Sequence, residues 1–165
     1  MTFTEDKFFN MVTALDGLST EEQEFMYKVP ILVCILIAGA DGNIDRDEIR
    51  EAITQAKKKQ RNSSDALMEL YREIGEDFED KLKVVEQNYP VEVTQRNPMI
   101  AEELARLNQL LPKIERNFSI QFYQSICDLA IKVAKSSGGW FGMKSVGEAE
   151  AKYVKLPMII DPSVN

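Results

Sequence analysis

The sequence predicts an all-α fold, and three observations carry that expectation. Apolar residues recur at three- and four-residue spacing through most of the chain, no stretch alternates with period two for long, and helix-capping patterns separate the apolar stripes. About seven helices in one domain spanning residues 1–165 are expected. A chain of 165 residues buries roughly two-thirds of the surface its unfolded form exposes, enough for one sizeable core.

Thr4-Glu5-Asp6-Lys7 opens a first helix with Phe8, Phe9, Val12 and Leu15 at helical spacing, which Gly17 stops. Ser19 and Glu22 form a capping box for a second helix expected to reach Ala40. Pro30 lies inside it and removes a backbone donor, which predicts a kink or break near Tyr27–Val29. A third helix, Arg46 to Lys59, shows Ile49, Ala52, Ile53 and Ala56 on one face, and the basic run Lys57-Lys58-Lys59-Gln60-Arg61 meets the negative end of its dipole.

Asn62-Ser63-Ser64-Asp65 is a turn and cap. From Ala66 one long helix carries Leu67, Leu70, Tyr71, Ile74, Phe78, Leu82 and Val85, and Asn88-Tyr89-Pro90 ends it. Pro90–Asn97 has no helical stripe and reads as a connection. Asn97-Pro98 is an N-cap followed by proline at the first helical position, starting a helix with Ile100, Leu104, Leu107 and Leu111 on one side. Past Pro112, Lys113 to Ser136 shows Ile114, Phe118, Phe122, Ile126, Leu129 and Val133 on one stripe. After the glycine-rich Ser136–Gly142 loop, Ser145 and Glu148 cap a final helix containing Ala151, Tyr153, Val154 and Leu156, which Pro157 and Pro162 end or distort.

These elements are organised around Ile31–Glu48. Ile31 to Ala40 carry no charge and no strong polar group, and the chain then turns acidic at Asp41-Gly42-Asn43-Ile44-Asp45-Arg46-Asp47-Glu48. Asp45 followed by Glu48 is a capping-box variant that starts the third helix. A buried helix therefore delivers an acidic turn to the start of the next helix.

The run Ile37-Ala38-Gly39-Ala40-Asp41-Gly42-Asn43-Ile44-Asp45-Arg46-Asp47-Glu48 resembles the A-x-ADG-x-I-x-x-x-E signature of the TerB-like family, small helical proteins associated with tellurite resistance. A looser match lies at Val133–Gly139 followed by Ser145-Val146-Gly147-Glu148. The resemblance implies a TerB-like bundle, divalent-cation binding at acidic residues, and a role in a stress response as a cation-responsive module that meets a protein partner. An internal echo accompanies it: Ile31–Ile53 and Ile126–Leu156 both read as apolar helix, small-residue turn, capping box, helix, as two related hairpins about a pseudo-two-fold would. In the second copy Ser137, Gly138 and Gly139 replace the carboxylates, with Trp140 and Phe141 inserted.

Asp41, Asn43, Asp45, Asp47, Glu48 and Glu51 offer hard oxygen donors of the kind that suit Ca²⁺, Mg²⁺ or Mn²⁺. The turn is not an EF-hand, because Arg46 stands where the loop's sixth residue must be glycine and Ala52 where its twelfth must be a bidentate Glu. Capping by itself accounts for Asp45, Asp47 and Glu48, whereas Asp41 has no capping role. Asp41, Asp45 and Glu48 are the expected metal-meeting set.

An enzymatic alternative rests on Glu48 and Glu51 with Glu73, Glu76, Asp77 and Asp80. Acidic pairs on two successive helices resemble the Mg²⁺-holding carboxylates of all-α nucleoside triphosphate pyrophosphatases. A solvated acidic face produces the same pattern, and no dedicated cationic set for the phosphates is recognisable.

Other classes are excluded more firmly. The chain has no histidine, which removes Ser-His and Cys-His nucleophile pairs and Glu-x-x-His di-iron sites. There is no Walker-type loop, since Gly138-Gly139 leads to Trp140 and not to Gly-Lys. With 20 basic against 27 acidic residues and a net charge of -7, the chain has no surplus from which to build a nucleic-acid face. Ile31–Ala40 as a helix rises only about 15 Å, half a bilayer's hydrocarbon thickness, so it reads as protein core and not as a membrane span. Met1–Leu15 is acidic early and lacks a continuous apolar core, so no leader is expected and the cytoplasm is the default location. Cys34 and Cys127 sit in apolar helical patterns and read as small buried hydrophobes.

Overall fold

A computed structural model describes residues 14–38, 46–59, 65–137 and 152–164. Every regular element among them is helical: α1 (Thr20–Ala38), α2 (Arg46–Lys59), α3 (Asp65–Gly75), α4 (Phe78–Gln87), α5 (Val93–Leu104), the single turn α6 (Leu107–Leu110) and α7 (Arg116–Ser137), with 3-10 turns at Leu111–Lys113 and Pro162–Val164. No strand forms among the described residues. The all-α expectation holds, with six helices of ten residues or more among the described residues against about seven expected.

The start of α1 is set by the capping box read in the sequence. The Glu22 N–H donates to Ser19 Oγ at 3.1 Å and the Ser19 N–H to Glu22 Oε1 at 2.9 Å. The preceding turn needs Gly17, whose φ is +103° and where a Cβ would stand 2.7 Å from the Lys113 carbonyl oxygen. The first expected helix lies outside the described residues except for its end, where Ala14 is helical and Leu15 is buried.

The expected break at Pro30 does not occur; α1 runs through it. Every residue from Val29 to Ala38 is buried, so packing on all sides of the helix offsets the one backbone bond that proline removes. Such a helix must lie at the centre of its fold. It does: α1 packs against α7, α5, α4 and α3, while α2 crosses between α7 and α3. One apolar cluster joins all of them. No helix among the described residues is long and apolar enough to cross a membrane.

Several boundaries differ from the sequence reading, and the helix expected to carry Ile100, Leu104, Leu107 and Leu111 on one side is interrupted at Ala105-Arg106, which separate α5 from α6. The long helix expected from Ala66 is two helices, broken at Glu76-Asp77, with Asp77 in the left-handed region at φ 50°. Aspartate tolerates that conformation better than most residues. The break re-aims the second half, so α3 packs on α1, α2 and α7 whereas α4 packs on α1 and α3. The stripe from Leu67 to Val85 keeps helical spacing across the break, so it carries no trace of it.

The connection expected over Pro90–Asn97 is helical from Val93. Asn97 is not an N-cap; it and Arg96 are buried in the second turn of α5, with Arg96 Nε 3.4 Å from Asn97 Oδ1. Arg96, Asn97, Ile100 and Leu104 form one buried face at helical spacing, which a stripe of apolar residues alone does not show.

The last long helix starts at Arg116 and not at Lys113, because Glu115 caps it. Its carboxylate accepts from the Asn117 N–H at 2.9 Å and the Phe118 N–H at 2.7 Å.

The chain's final described part is not the helix expected there. After Lys152 and Tyr153 it becomes a series of turns, with Leu156 at φ 49° ahead of Pro157. Of the expected stripe, Tyr153 and Leu156 are nevertheless buried and Val154 is half-buried, and Ile159, outside the stripe, is buried as well. The turns of the two proposed hairpins, residues 39–45 and 138–151, lie outside the described residues, as do Ser145, Glu148, Trp140 and Phe141.

Candidate functional site

Asp41, Asn43 and Asp45 lie outside the described residues, and of Glu48 only the backbone, within α2, is described. What is described is the frame on either side. α1 ends at Ala38, 1 % exposed, and α2 begins at Arg46 and buries Ile49 and Ala52 within its first two turns. The seven residues between these two ends include Asp41 and Asp45.

The acidic residues just beyond are occupied with their own helix. Asp47 Oδ1 lies 3.9 Å from Arg50, and Glu51 Oε1 accepts from Gln55 Nε2 at 3.1 Å. Arg50 also pairs with Glu79, tying α2 to the start of α4. Both sides of these pairs are substantially exposed, so they orient side chains more than they stabilise the fold.

Of the carboxylates invoked for phosphate chemistry, Glu73, Glu76, Asp77 and Asp80 gather where α3 meets α4, while Glu48 and Glu51 belong to α2. Glu73 stands in the last turn of α3, Glu76 and Asp77 occupy the break, and Asp80 stands in the first turn of α4, all exposed. Among the described residues no three acidic or cysteine side chains are grouped closely enough to hold a metal ion.

Two polar assemblies were not signalled by any motif. On the α1–α5 side, Glu103 accepts from the Tyr89 hydroxyl, pairs with Lys28 Nζ at 3.3 Å and lies 3.9 Å from Arg106. Lys28 is 5.5 Å from the Tyr89 ring centroid and Arg106 is 4.5 Å from that of Phe25, so both cations sit over aromatic faces. Burial first, and then the bond to the Glu103 carboxylate, pushes the Tyr89 hydroxyl well above the usual phenol range. Two residues past Arg106, Asn108 holds the final segment by its backbone. Its Nδ2 donates to the Met158 carbonyl at 2.9 Å and its Oδ1 accepts from the Ile160 N–H at 2.7 Å.

The two cysteines are free, and their environments differ from each other. Cys34 is fully buried and burial pushes its thiol far up, as expected of a structural hydrophobe. Cys127 is only half-buried, and burial raises its thiol against a bond to Tyr123 that lowers it.

Comparison of the chain with protein-family models, with curated proteins and with solved structures returns no match.

Proposed function

We propose that this protein is a non-enzymatic, TerB-like interaction module that meets a divalent cation, Ca²⁺, Mg²⁺ or Mn²⁺, through Asp41, Asp45 and Glu48, and acts in the cytoplasm with a protein partner in the response to tellurite or another chemical stress. The observation that carries this reading is the frame of the acidic turn. The buried half of α1 ends at Ala38 and the amphipathic α2 starts at Arg46, so Asp41 and Asp45 fall between two elements anchored in the same core, with Glu48 in the first turn of the second. Hard oxygen donors on a short span between fixed ends suit a hard cation, because little chain entropy remains to be lost when they converge.

Calorimetric titration of the purified protein with each cation, with Asp41→Asn alongside, tests the proposal. Asp41 is the informative position because capping does not require it, whereas Asp45 and Glu48 would cap α2 with or without an ion. Heat of binding that is lost in Asp41→Asn is the expected result. Absence of heat with all three cations, or heat that the substitution leaves unchanged, overturns the cation site.

A further inference from the structure

We draw no further inference here: the strongest candidate, the groove of about 480 Å³ where α1, α3 and α4 meet, carries charges of both signs, from Glu24, Glu73 and Asp80 and from Lys28 and Lys81, around an apolar floor, and nothing in the structure shows what covers it.

Discussion

The Tyr71 hydroxyl donates to Ser125 Oγ at 2.8 Å in the middle of the core, and Ser125 Oγ in turn reaches the Phe122 carbonyl at 2.7 Å. Tyr71 is fully buried and Ser125 nearly so, which makes this a closed polar path between α3 and α7 with no access to water. Removing one partner strands the other, so the two single substitutions should be unequal. Tyr71→Phe loses a bond but leaves Ser125 its backbone acceptor, costing about 1 kcal/mol; Ser125→Ala leaves a phenol unpaired in an apolar site and should cost about 2–3 kcal/mol. Chemical denaturation of both variants and of the double substitution checks this, and the double should cost less than the sum.

Gly17→Ala is expected to destabilise by about 1–3 kcal/mol, since the residue must hold a positive φ and its new Cβ would press on the Lys113 carbonyl, which belongs to the backbone and cannot swing aside. The melting temperature of the variant is the measurement. An unchanged value would mean that the turn before α1 relaxes freely.

Asn108→Ala should loosen the final described segment without unfolding the bundle. Two backbone bonds are lost, worth about 1–3 kcal/mol together, and the Ile160 N–H is then open to solvent. Faster hydrogen exchange at Ile160, with exchange in α1 unchanged, is the expected readout. Asn108→Asp keeps the acceptor for Ile160 and loses the donor to Met158, so its effect should be intermediate.

Stability should fall as the solution is made alkaline. Tyr27 and Tyr123 are both held up at about 12 against 10.0 for a free phenol, burial being the leading cause in each. A raised folded-state value means that the unfolded chain gives up its proton first. The contribution is complete below pH 10 and is lost as pH rises from about 10 towards 12. Tyr27→Phe should make the decline shallower by less than one proton, because the side chain is partly solvated. Urea midpoints measured across that window test the sign as well as the size.

The legible part of this protein is what local spacing and capping chemistry express. Ser19 and Glu22 announced the start of α1, the stripe Ile49-Ala52-Ile53-Ala56 gave α2 its buried face, and the unbroken apolar run from Ile31 announced the central helix. The spacing also identified Tyr153 and Leu156 as core residues inside a segment whose conformation it misjudged. The acidic turn was legible only as composition: Asp41 and Asp45 are four positions apart along the chain, and their geometry falls outside the described residues.

What tertiary structure alone decided is where the chain turns and which polar groups meet. Periodicity depends on neighbours three and four residues away, so it is blind to a single left-handed residue such as Asp77 when the stripe resumes in phase after it. It is equally blind to Pro30, where burial on all sides overrules a local penalty, and to Arg96 and Asn97, polar residues that occupy the buried face of α5. Glu103 with Lys28, Tyr71 with Ser125, and Asn108 with Ile160 are each separated by more than fifty positions, and only the folding of one helix onto another brings them within hydrogen-bond reach. The helices follow from short-range stereochemistry that every segment carries with it; the breaks, clamps and groove follow from the requirement that those segments fill one core.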